Sequence, residues 1–128
     1  MRKLILAVAL TLTLGGCAEI QKLRGAFQAV TGNIVSPQQV AAAISAFDAG
    51  EALATNYVKL PRCGTGPVVC RDPATTAAVA KWVKAGRVDR NQLKAALRAN
   101  PGQNLSVADI YNDLGNTTAA LSAALAGK

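Results

Sequence analysis

The sequence predicts an all-α fold, a small bundle of about four or five helices, on three observations. Apolar residues recur at three-, four- and seven-residue steps, the spacing that lines one face of an α-helix. Two such segments open on a capping residue followed by proline, at Ser36-Pro37 and Asp72-Pro73, and glycine- or proline-containing punctuation closes them. No stretch alternates apolar and polar residues over the length of a strand, the brief Val68-Val69 pair apart.

The first segment stands outside that bundle. Met1-Arg2-Lys3 places two cations ahead of an apolar run from Leu4 to Leu14, interrupted only by Thr11 and Thr13. The run is short for a membrane span, which takes about 20 mostly apolar residues. A charged start, an apolar stretch of about 7–15 residues and small residues before a cleavage point instead describe a secretory signal. Gly15 and Gly16 are those small residues, and Cys17 follows at once.

Leu14-Gly15-Gly16-Cys17 resembles the lipobox of bacterial lipoproteins: a leucine, two small residues and a cysteine directly after the apolar region. The resemblance covers residues 1–17 and no more. It implies that residues 1–16 are a signal peptide removed on maturation, that the Cys17 thiol carries a diacylglyceryl group, and that the new N-terminus is acylated by a chain such as palmitate. Each buried methylene contributes ~0.8 kcal/mol and stable attachment takes two chains, so such a group is a sufficient membrane anchor. Ala18 occupies the position where an aspartate favours inner-membrane retention in Gram-negative sorting. The implied location is therefore the cell envelope, lipid-anchored in the outer membrane and facing the periplasm. Residues 17–35 form the anchored N-terminal segment, in which Ile20, Leu23, Phe27 and Val30 share a helical face. That face suits lying on the membrane, packing on the bundle or serving as a stalk.

The helical domain follows over residues 36–128. Ser36 caps its first helix and Pro37 fits the first helical position. Val40, Ile44, Phe47, Ala54 and Tyr57 line one face, and the helix should end near Val58 because Leu60 precedes Pro61. Asp72-Pro73 starts a second helix with Val79, Trp82 and Val83 on its apolar face and Gly86 as its stop. "VDRNQLKAAL" then reads as a separate helix, capped by Asp89, with Gln92 reaching back and Leu93 and Leu97 turned inward. Asn100-Pro101-Gly102 closes it. Ser106, with Asp109 three residues on, opens the last helix, lined by Val107, Ile110, Tyr111, Leu114, Leu121 and Leu125 and open to a kink at Gly115-Asn116. Many inward positions are alanine, so the helices can approach closely around a modest core.

With Cys17 assigned to lipid, Cys63 and Cys70 remain. An even pair on an exported chain reads as a disulfide. Gly64, Gly66 and Pro67 between them are turn formers that let the chain double back. Closing so short a loop contributes roughly 2–3 kcal/mol by the chain-entropy account. The chain contains no histidine, and the two cysteines have six residues between them and no other soft donor, so neither a metal centre nor a two-spaced redox motif is expected.

Charge is concentrated in the middle of the chain. The formal net charge is +7, and nine cations from Lys59 to Arg98 stand against only Asp72 and Asp89. Such a segment attracts anionic lipid headgroups, lipopolysaccharide phosphates or peptidoglycan carboxylates, with Lys81, Lys84, Arg87 and Lys94 as candidate contacts. It equally suits a solvated helix face. Nucleic acid is not an expected partner of an exported lipoprotein. Trp82, beside Lys81, reads either as core or as an interface anchor.

Catalytic chemistry finds little to use. Acid–base work relies most often on histidine or on paired carboxylates of shifted pKa. The closest acidic pairs are Asp48 with Glu51 and Asp109 with Asp113, and no phosphate loop, nucleophile elbow or metal signature is present. The sequence therefore points to a non-enzymatic protein without cofactor, an interaction or structural module tethered through Cys17 that binds another envelope protein. Two alternatives stand beside it: a binder of anionic envelope polymer or lipid through segment 59–98, and a phage- or prophage-borne lipoprotein that modifies the host surface.

Overall fold

A computed structural model describes residues 32–64, 66 and 69–126. The expected signal peptide, Cys17 and the expected face of Ile20, Leu23, Phe27 and Val30 lie outside the described residues. Within them the chain is all-helical, with α1 over Pro37–Val58, α2 over Pro73–Ala99 and α3 over Ala108–Ala126. The expected four or five helices are thus three.

The N-terminus of α1 carries a full capping box. Ser36 Oγ accepts from the Gln39 N–H at 3.3 Å, and the Ser36 N–H donates to Gln39 Oε1 at 3.0 Å. At the other end the Lys59 and Leu60 amides bond back to the carbonyls of Asn56 and Tyr57, just before Pro61. Helix α2 starts as predicted, with Asp72 Oδ1 accepting from the Thr75 N–H at 3.0 Å and Pro73 in the first turn.

It does not stop at Gly86. The helix runs unbroken to Ala99, so the separate helix capped by Asp89 does not exist and Asp89 sits in mid-helix. Gly86 is buried against the Phe47 ring, where a side chain would collide; it serves helix packing, not helix ending. Helix α3 begins at Ala108, two residues beyond Ser106, and passes straight through Gly115-Asn116. Thr118 Oγ1 donates to the Leu114 carbonyl at 2.7 Å across that turn, which gives the buried hydroxyl a partner without breaking the helix.

Contacts between helices set their directions. Tyr57 meets Asp72, Phe47 meets Gly86 and Asp48 meets Lys94, so α2 runs antiparallel to α1. Val35 exchanges two backbone hydrogen bonds with Leu105 at 2.8 and 2.9 Å, and Leu121 packs against Gly50, so α3 runs parallel to α1. The bundle is up-down-up. Its core joins Val35, Val40, Phe47, Leu93, Tyr111, Leu114 and Leu121, all essentially sealed from solvent, with Ala43 and Ala54 buried among them. Each large side chain buried in this way contributes about 1.5–3 kcal/mol.

Candidate functional site

Two features stand out from this scaffold: a charge cluster between α1 and α2, and the bridged connection between them. Asp48 and Glu51 are one turn apart on α1, and Arg87, Arg90 and Lys94 follow one another at one-turn steps on α2. Antiparallel packing brings the two rows together. Arg90 donates through one nitrogen to Asp48 Oδ1 at 2.8 Å and to Glu51 Oε2 at 3.1 Å. Arg87 donates through Nε to Glu51 Oε1 at 2.6 Å, and Lys94 Nζ reaches Asp48 Oδ2 at 3.2 Å. Arg90 also lies over the Phe47 ring, its guanidinium carbon 5.8 Å from the centroid.

The burial of this cluster is uneven. The Arg90 and Glu51 side chains are 19% and 17% exposed, while that of Arg87 is 55% exposed. At Asp48, burial disfavours the charged carboxylate, but hydrogen bonds from Arg90 and Lys94 and their positive charges outweigh it. The Asp48 carboxyl is held below its ordinary value. The acidic pair is thus part of an interhelical clamp.

Two of the four cations singled out from sequence are already paired across the helices. Arg87 and Lys94 are engaged by Glu51 and Asp48. Lys81 places its ammonium 4.7 Å from the centre of the Trp82 ring, and Lys84 is exposed. At 3.6 residues per turn, Lys81 points about 120° away from Arg87 around the helix. Trp82 is half-buried and packs on the core beside Val79 and Val83.

Sequence reading overlooked Arg90, which holds both acids at once. The signal was there in the matching one-turn spacings of 48/51 and 87/90/94. It also missed that Asp89 and Asp113 face each other between α2 and α3: burial, and then the Asp113 charge, raise the Asp89 pKa above its ordinary value.

The second feature is the loop between α1 and α2. Cys63 and Cys70 are joined, with an S–S distance of 2.06 Å and a Cα–Cα distance of 4.9 Å. Beside the bridge the Cys63 N–H donates to the Arg71 carbonyl at 3.1 Å and the Arg71 N–H to the Pro61 carbonyl at 2.9 Å. The Asp72 N–H donates to Tyr57 Oη at 2.9 Å, tying the loop to the end of α1. Arg71 Nε is buried and has no hydrogen-bond partner. Lys59, Pro61, Arg62 and Val69 face solvent.

Among the described residues no three cysteines or carboxylates gather to hold a metal ion, and no helix is long and apolar enough to cross a membrane. Comparison of the chain with protein-family models, curated proteins and solved structures finds no match.

Proposed function

We propose that the chain is a non-enzymatic envelope lipoprotein, a helical interaction module held at the membrane through Cys17. The observation that carries this reading is Leu14-Gly15-Gly16-Cys17 at the end of a short apolar run with a basic start. The disulfide supports it in two ways. A bridge of this kind suits an oxidising compartment outside the cytoplasm. It also accounts for two of the chain's three cysteines, leaving Cys17 for acylation. The outer membrane, facing the periplasm, is the location that Ala18 favours, and another envelope protein is the partner in this reading.

Intact mass of the protein extracted from membranes, with and without reduction, tests the proposal. The expected mass is residues 17–128 plus a diacylglyceryl or triacyl group, rising by about two hydrogens on reduction. A Cys17→Ala chain should carry no lipid and leave the membrane fraction. A wild-type mass without lipid, or a cut elsewhere, would overturn the reading.

A further inference from the structure

We propose that the outward face of α2 binds the outward face of α3 on a second copy of this chain, with Lys81 and Lys84 of one copy against Asp109 and Asp113 of the other. The inference starts from how charge is divided among the three helices once they have packed. The exposed face of α1 carries no charge, because Asp48 and Glu51 are turned to α2. Helix α3 holds no cation over Ala108–Ala126, and its two charges, Asp109 and Asp113, are both exposed.

Helix α2 is cationic on two sides, and only one of them is matched. Arg87, Arg90 and Lys94 meet the acids of α1. Lys81, Lys84, Val88 and Ala95 follow one another on the outward side at three-, four- and seven-residue steps, and all four are exposed. Neither lysine makes an ion pair among the described residues, the Lys81 ammonium lying instead by the Trp82 ring. Val88 is 54% exposed in the middle of this row. The single acid of α2, Asp89, lies off the row and faces α3.

The acids of α3 lack a counter-charge in the same way. Among the described residues neither Asp109 nor Asp113 meets a cation, and Asp113 faces Asp89. Like charges held together in one fold repel, and a lysine brought in by a second copy offsets that repulsion. One chain therefore carries both halves of a charge-complementary contact, on different helices.

Spacing sets the register. Lys81 and Lys84 are one turn apart, and so are Asp109 and Asp113. With the two helices parallel and Lys81 beside Asp109, Lys84 falls beside Asp113, Val88 beside Asn116 and Ala95 beside Ala123. Antiparallel pairing of the same four charges would carry Val88 past the start of α3 and leave it in water. Exposed ion pairs contribute little singly, so here they select partner and register, while covering Val88 and the alanine methyls drives association.

Because the two faces belong to different helices, the contact is heterologous: each copy gives its α2 face to one neighbour and its α3 face to another. Assembly then continues past the dimer, into a ring or an open chain. The Cys17 anchor plays no part in this inference, which uses α2 and α3 alone.

The test is co-isolation of two differently tagged full-length copies, produced together and extracted in one detergent. Shared micelles are common to every pair, so a difference between pairs reports the contact itself. Charge is reversed on one side by Lys81→Glu with Lys84→Glu, and on the other by Asp109→Lys with Asp113→Lys. Native copies are expected to co-isolate, and less so as salt rises. Each reversed chain should lose co-isolation with itself by at least about ten-fold, and mixing the two reversed chains should restore it. All four positions are exposed, so the helical signal should be retained. Asp113→Lys alone, which leaves the first turn of α3 untouched, should give the same loss in smaller measure. Carbodiimide, which joins amine to carboxylate directly, should link Lys81 or Lys84 to Asp109 or Asp113 between isotope-labelled and unlabelled copies. Native copies that do not co-isolate, self-association that survives either reversal, or reversed chains that stay apart when mixed would overturn the proposal.

Discussion

The ring of Phe47 fills the space that a side chain at Gly86 would need. A Cβ built on Gly86 overlaps three atoms of the ring, and Phe47 is itself completely buried. Gly86→Ala should therefore destabilise the domain even though alanine is the better helix former by about 1 kcal/mol. Overpacking costs about 1–3 kcal/mol, so a net loss of up to about 2 kcal/mol is expected in urea unfolding. Adding Phe47→Leu should relieve part of the clash, seen as favourable coupling in a double-mutant cycle. An unfolding midpoint raised by Gly86→Ala would contradict the packing described here.

Arg90 and Arg87 join the same cluster but differ in burial, which separates their effects. Arg90→Gln leaves Asp48 and Glu51 without their shared partner and should lower stability by about 1–2 kcal/mol, whereas Arg87→Gln should cost about 0.5 kcal/mol or less. Equal losses from the two substitutions in chemical denaturation would show that Arg90 is not the hub.

The two perturbed carboxyls make opposite contributions to stability as pH changes. Asp48 is lowered from 3.8, so its contribution is full above that value and is lost as pH falls through the folded-state pKa. Asp89 is raised from 3.8; its penalty is absent at acid pH and grows as pH rises through the folded-state pKa. Melting temperatures followed from acid to neutral pH should show Asp48→Asn losing stability at neutral pH and flattening the acid-side decline. Asp89→Asn should gain stability at neutral pH, and a loss there would be inconsistent with its facing Asp113.

Tyr57 and Asp72 couple the end of α1 to the start of α2 by two hydrogen bonds: the Asp72 N–H donates to Tyr57 Oη at 2.9 Å and the Tyr57 hydroxyl donates to Asp72 Oδ2 at 3.4 Å. Tyr57→Phe removes both and should cost about 1–2 kcal/mol. Asp72→Ala removes the cap of α2 as well, at about 1–2 kcal/mol. Because the residues share partners, the double variant should lose less than the two single losses added together. Strict additivity in thermal unfolding would mean that the two sites act separately.

Local chemistry made part of this structure legible from sequence. Ser36-Pro37 marks the start of α1 and Leu60-Pro61 its end near Val58, Asp72-Pro73 marks the start of α2, and the turn formers between Cys63 and Cys70 foretell the bridge. What could not be read locally was the length of α2. Gly86 followed by Asp89 has the grammar of a helix ending and another beginning, yet the reason for the glycine is Phe47 on another helix. The same limit applies to the cations: Lys81, Lys84, Arg87 and Lys94 are alike in sequence, and only the facing helix decides that two of them meet carboxylates. Arg90 looked no different from its neighbours until Asp48 and Glu51 were brought opposite it.

Parallel α1 and α3 also give the domain a mechanical character. Gly32 and Ala126, the outermost ends of the described domain, lie at opposite poles, so a pull between those two ends would slide α1 and α3 past each other lengthwise. Such loading strains the Val35–Leu105 pairing and the seat of Leu121 on Gly50 together, instead of peeling contacts one by one. Resistance to forced unfolding is set by the unfolding rate and not by equilibrium stability. A domain of modest core can in this way hold under tension along its axis.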